Sequence, residues 1–341
     1  MTPFVRRLCV CCITSIIAFP IVVTAATVES PQAQRQHLLS NVKTWGYQLQ
    51  KLDIGALKAS PFDLLVIDHA PDRVESVELM FRPSEVESLK VKPDGSRRLV
   101  LAYMSIGEAE QYRFYWNEGW VRSGNCPTWL GPVNPQWAGN YPVEFWQPHW
   151  QSLIFGQSDS YVDRVLAAGF DGIYLDRADV YEQFKSRRSG KGDMTSFLTA
   201  LIDHARSINP NAIVVMQNAE ELLRNKPLRV RLDGIAKESL YFNADKASKP
   251  NPKSERSSVL ADLNLLSKAG GKVMVVEYLD DPAKAVMARE QAQSDGFMIH
   301  FTERTLSTLN VHGDDQPAPP VPQSITPVAN DSQRVHTSPC G

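Results

Sequence analysis

The chain has 341 residues, 43% hydrophobic and 22% charged, a composition suited to a folded globular protein rather than a disordered or fibrous one. Its formal net charge of −2 excludes the basic excess that would mark nucleic acid or an anionic membrane surface as a partner. Length alone admits two domains or one large barrel.

The N-terminus reads as a secretion signal over residues 1–26. Arg6 and Arg7 form a positive start, residues 8–23 are apolar, and Val23-Thr24-Ala25 and Thr24-Ala25-Ala26 supply small-residue cleavage sites. The apolar run is short for a membrane span and Pro20 interrupts it, so cleavage is expected rather than anchoring. The mature protein is then secreted or periplasmic, without membrane contact. Cys9, Cys11 and Cys12 lie in this segment; Cys126 and Cys340 lie outside it, and an oxidising compartment would permit a bridge between them. No Cys/His spacing suggests a metal site, and neither metal nor cofactor is expected.

Residues 27–41 are polar and read as a linker or frayed arm. Short apolar runs then alternate with helical patterns. Strands are predicted at residues 45–49, 64–68, 99–106, 172–175, 212–216, 234–236, 272–276 and 297–301. Between them, Ser84-Glu85-Val86-Glu87 reads as a capping box. Residues 195–207 carry helical apolar spacing and stop before Pro210, residues 259–269 form a helix ended by Gly270-Gly271, and Asp281-Pro282 opens another. Eight strands alternating with helices over roughly 270 residues predict a single-domain α/β protein, a (β/α)8 TIM barrel spanning residues 42–312. The rival open doubly wound sheet would commonly show a Gly-rich phosphate loop after an early strand, and the sequence has none. Residues 313–341 are rich in Pro, Ser, Asp and Gln and read as a disordered tail.

In a barrel all strand C-termini open onto one face, where chemistry sits. Here they bring Asp68, Glu108, Asp176, Asn218, Glu238 and Glu277 to that face, with Tyr103, Tyr174 and Tyr278 nearby. A strand-end carboxylate loses solvation, which is costly unless it reacts, binds, caps a helix or pairs with a cation. For Asp176 alone, capping or pairing with Arg177 would suffice. Recurrence on several strands points to a site. One ionised and one protonated carboxyl serve glycosidic cleavage; the same cluster would suit a divalent cation or a cationic substrate. The residues alone do not rank Asp176 and Glu238 above Glu108 or Glu277.

The loop over residues 110–150 holds Trp116, Trp120, Trp129, Trp137, Trp146 and Trp150, six of the seven tryptophans. A loop this long without periodicity is usually functional. Trp faces pack on sugar C–H surfaces and on cations, although a small core covering the barrel rim is the simpler reading for most of them. Trp129 is taken as a ligand contact. His69 and His300 read as wall residues, Arg187, Arg188 and Lys191 as a solvated basic loop, and Lys237, one residue before Glu238, as facing away from it.

Several segments resemble glycoside hydrolase family 114, the endo-α-1,4-polygalactosaminidase-like barrels. They are Trp45-Gly46-Tyr47-Gln48-Leu49, Tyr103-Met104-Ser105-Ile106-Gly107-Glu108-Ala109-Glu110, Asn125-Cys126-Pro127-Thr128-Trp129-Leu130-Gly131-Pro132, Phe170-Asp171-Gly172-Ile173-Tyr174-Leu175-Asp176, Gln217-Asn218-Ala219-Glu220 and Glu238-Ser239-Leu240. The match covers residues 44–312. The resemblance implies a secreted hydrolase of a cationic galactosamine-containing polysaccharide, with Asp176 as nucleophile and Glu238 as general acid/base; a monomer is expected. Asp68, Glu108, Asn218, Tyr103 and Tyr174 would hold the sugar, within a wider wall of Glu277, Tyr278 and Trp129. A polycationic substrate would explain why so many carboxylates share one face. The alternatives are a barrel that binds the polymer without cleaving it, a glycosidase of a different exopolysaccharide, and a metal-dependent hydrolase.

Overall fold

The computed structural model describes residues 29–74, 77–122, 126–244 and 249–309. The expected signal segment, the tail and Cys340 lie outside them. Eight parallel strands form one sheet in sequence order. They are β1 (Trp45–Gln48), β2 (Leu64–Ile67), β3 (Leu99–Ser105), β4 (Gly172–Asp176), β5 (Ile213–Gln217), β6 (Gly234–Glu238), β7 (Lys272–Glu277) and β8 (Met298–Phe301). No ladder joins β1 to β8. The seam is closed by the Leu49 and Gln50 amides, which donate to the Leu306 carbonyl at 2.8 and 3.0 Å, and by Trp45 packing on His300. The result is the expected (β/α)8 barrel, nearly closed.

Strand alternation sorts the apolar residues into two cores. Trp45, Leu64, Leu101, Tyr174, Val215, Ala236, Met274 and Val276 fill the barrel. Their neighbours Leu65, Val100, Ile173, Leu175, Val214, Met216, Ile235 and Val275 face the helical layer. The same parity decides which strand-end polar groups look into the barrel mouth.

Local chemistry corrects several expectations. Residues 31–40 are not a linker but a helix, α1 (Pro31–Ser40), with Ser30 as N-cap and Pro31 at its first position. Leu39 and Val42 join the barrel's inner core, and Arg35 pairs with buried Asp233 at 3.0 Å. In α2 (Pro83–Leu89) the capping carboxylate is Glu85, which accepts from the Arg82 amide at 2.8 Å, not Glu87 partnered with Ser84. The helix expected from residue 195 begins five residues earlier, as α3 (Gly190–Ile208), and buries Phe197, Leu198, Leu201 and Ile202. α4 (Lys253–Ser267) also starts early, and Gly270 ends that turn at φ +89°. Asp281 caps α5 (Pro282–Asp295) as expected, accepting from Ala283 N and Lys284 N.

Candidate active site

β4, β5 and β6 are neighbours, and each ends on an inward-facing polar residue: Asp176, Gln217 and Glu238. The residue that follows each one, Arg177, Asn218 and Ser239, is held at φ +62°, +57° and +50°. Left-handed conformations of non-glycine residues cost roughly 1–3 kcal/mol each and persist where surrounding structure imposes them. Three in one layer of the barrel mouth turn the chain sharply away and leave the three side chains at the cleft floor. Gly107 makes the crossing possible, since a Cβ there would collide with the Arg177 carbonyl.

The cleft above them encloses about 950 Å³. Asp176 accepts from Tyr103 Oη at 2.7 Å, Gln217 Nε2 at 2.8 Å and its neighbour's amide, Arg177 N, at 2.7 Å. Glu238 accepts from Tyr278 Oη at 2.5 Å, Asn218 Nδ2 at 2.8 Å and Gln217 Nε2 at 2.9 Å. One nitrogen therefore touches both carboxylates, so their facing oxygens cannot be farther apart than those two bonds laid end to end. Burial, and then the Glu238 charge, push the Asp176 carboxyl up to about 7. Asp176 therefore retains its proton well above the usual carboxylate range. Burial also raises the Tyr47, Tyr103 and Tyr278 phenols well above 10, which keeps them donors.

The outer acids are largely neutralised within the protein. Arg113, fully buried, pairs with Asp68 at 2.8 Å and Glu110 at 2.6 Å. Glu108 pairs with Arg177 at 3.1 Å and accepts from Asn134 at 2.9 Å. Asp179, its carboxyl raised by burial, lies 3.5 Å from Arg177. Of the five expected strand-end carboxylates, Asp68 and Glu108 are held in buried ion pairs, so carboxylate count alone does not argue for a polycation. Among the described residues no cluster of three or more His, Cys, Asp or Glu side chains suits a metal ion.

Seven of the expected site residues line this cleft: Asp68, Tyr103, Glu108, Asp176, Asn218, Glu238 and Tyr278. Three do not. Tyr174 is fully buried beneath Gln217, to which it donates at 2.5 Å. Glu277 has the parity of Val275 and lies behind the wall, where its Oε1 accepts from Tyr241 N at 2.7 Å. Trp129 is 1% exposed, donates to His149 and packs between Trp120 and Trp150. Of the loop tryptophans, Trp137 lines the cleft and is 42% exposed. The expected wall residue His69 packs on Tyr161, and Lys237 turns away from the cleft to pair with Glu220 at 3.2 Å. The basic loop is less free than expected: Arg187 pairs with Asp193 and lies over Trp146, and Lys191 pairs with Glu221. Cys126 is disulfide-bonded. Gln217 and Trp137 were missing from the expected site. Strand parity, counted from Val215, would have found the first.

A family model, glycoside-hydrolase family GH114, matches residues 24–317. A Deinococcus radiodurans protein of unassigned function is 32% identical over 286 residues, covering 83% of this chain and 87% of its own. A Methanocaldococcus jannaschii protein, also of unassigned function, is 36% identical over 248 residues, covering 70% and 67%. Among solved structures, the glycoside hydrolase domain of PelA from Pseudomonas aeruginosa superposes with TM-score 0.59 at 19% identity, over 79% of this chain and 98% of that one. Aspergillus fumigatus Ega3 in complex with galactosamine gives TM-score 0.58 at 16% identity, over 78% and 93%. At these identities the two structures speak to the shared barrel fold.

Proposed function

Because the chain belongs to glycoside-hydrolase family GH114, we propose that it hydrolyses internal α-1,4 bonds of a galactosamine-containing polysaccharide with retention of configuration, using Asp176 and Glu238. The observation that carries this reading is the amide shared by the two carboxylates at 2.8 and 2.9 Å. It brings their facing oxygens near the about 5–5.5 Å of retaining enzymes and short of the about 6.5–9.5 Å that leaves room for a water in inverting ones. In the first step an Asp176 oxygen bonds to the anomeric carbon while the glycosidic C–O bond breaks. The Glu238 proton passes to the departing oxygen. In the second step Glu238 takes a proton from water, the water oxygen bonds to the anomeric carbon, and the Asp176 ester is released. Tyr103 and Tyr278 fix the two carboxyl groups. Exposed Trp137 offers an apolar face to a sugar further along the polymer. The N-terminal segment directs the protein to the periplasm or the exterior, where such a polymer is met.

A second reading, a glycosidase of a different exopolysaccharide, draws on the internal pairing of Asp68, Glu108 and Glu110 with arginines. A largely neutral glycan would suit that wall. Mass spectrometry of products from partly de-N-acetylated galactosamine oligomers separates the readings. The proposal expects short oligomers from the wild type and turnover reduced about 10²–10⁴-fold in Glu238→Gln. Intact oligomers with the wild type, and cleavage of a neutral glycan instead, would favour the second.

A further inference from the structure

The proposed chemistry needs two carboxyl groups that stay apart and ionise separately, and one buried side chain sits where it governs both. Gln217 is 3% exposed and ends β5, the strand between those carrying Asp176 and Glu238. Its two amide hydrogens serve one carboxylate each. Its carbonyl oxygen accepts from the Tyr174 hydroxyl at 2.5 Å. That bond fixes the amide's polarity: a flipped amide would point its oxygen at two acceptors and leave both carboxylates short of a donor. Burial keeps the Tyr174 phenol protonated, so it remains a donor at working pH.

We propose that Gln217, oriented by Tyr174, is a positioning residue that sets the spacing of the two carboxylates and separates their titrations. The inference rests on the reading of Asp176 and Glu238 as the reacting pair. With the amide between the facing oxygens, no proton is shared directly across them. The proton required for leaving-group departure stays on one carboxyl while the other is free to attack. The phenols of Tyr47, Tyr103, Tyr174 and Tyr278 face the same pair, and Arg177, Asp179 and Lys237 are the nearby charges. None of these hydrogen-bonds to both carboxylates, so they leave the bridging role to Gln217.

The test compares Gln217→Met, which keeps side-chain length and loses both donors, with Tyr174→Phe, which keeps the amide and loses its orienting bond. Each is assayed on galactosamine oligomers across pH and titrated without substrate by carbon NMR of carboxyl-labelled protein. Removing a donor destabilises the ionised carboxylate, so the Asp176 titration is expected to move to higher pH in both variants. In Gln217→Met, kcat is expected to fall about 10²-fold, the cost of misplaced reacting groups, with KM little changed. Tyr174→Phe should fall between it and the wild type. An unchanged titration, or a raised KM with unchanged kcat, would overturn the proposal and make Gln217 a plain sugar contact. Asp176→Asn and Glu238→Gln are run alongside. If they retain turnover, the reading of the pair has failed. If they lose it while Gln217→Met does not, only the positioning role has.

Discussion

A carboxyl group without an ion pair stays uncharged when burial outweighs its hydrogen bonds, and Glu277 is in that position. Burial pushes it from an ordinary 4.5 to about 8, against the backbone amides of Tyr241, Phe242 and Leu240. Because the folded value lies above the unfolded one, the folded state binds the proton more tightly. The stability this contributes is fully present below about 4.5 and is lost as pH rises through about 8. Glu277→Gln keeps an acceptor for the turn after Glu238 and has no proton to lose. Thermal melts across that window are expected to fall less steeply with pH in the variant than in the wild type. Equal slopes would mean that Glu277 does not titrate as described. As the nucleophile, Asp176 must be ionised, so kcat/KM is expected to rise as pH passes up through about 7. A plateau through that region would contradict the raised value of Asp176.

At the scale of elements, the barrel strands were legible because each is a short apolar run between turn signals, and Gly172 to Leu175 ends in acid as a buried strand at a barrel mouth would. Their ends were less legible. Asp176, Gln217, Glu238 and Glu277 belong to strands that run one or two residues beyond their apolar part. Inward and outward positions there are told apart only by counting parity from residues such as Val215 and Val275. Glu277 and Tyr174 were read as site residues because proximity in sequence was weighed without depth: Tyr174 faces inward but lies one layer too deep. Trp129 and its neighbours satisfied one another, which composition cannot foretell. α1 was missed because its ten residues are mostly polar, although Ser30 and Pro31 are a helix-start signature. Its worth is in Leu39, which is 4% exposed in the inner core. Leu39→Ala is expected to cost about 2–5 kcal/mol, read by chemical denaturation, with the cleft residues untouched. A change within error would mean that α1 is dispensable to the barrel.

Across the whole molecule, the (β/α)8 frame gathers side chains from the ends of all eight strands into one mouth, and the internal arginines decide its electrostatic character. With Arg113 set against Asp68 and Glu110, and Arg177 against Glu108, recognition of a polymer falls more to shape and aromatic contact than the acid count suggests. Trp137 is the exposed aromatic on that path. Trp137→Ala is expected to raise KM for long oligomers about 2- to 12-fold, an aromatic contact of about 0.5–1.5 kcal/mol, and to spare the shortest substrates. Equal effects at every length would place Trp137 beside the scissile bond or outside the path. The claim on which the rest depends is that Asp176 and Glu238 act as a closely spaced, retaining pair. It is met most directly by proton NMR of the first reducing ends released from an α-linked galactosamine oligomer, followed before mutarotation. The α-anomer is expected to appear first. Initial appearance of the β-anomer would mean a water attacks directly, and would contradict both the covalent role of Asp176 and the spacing set by Gln217.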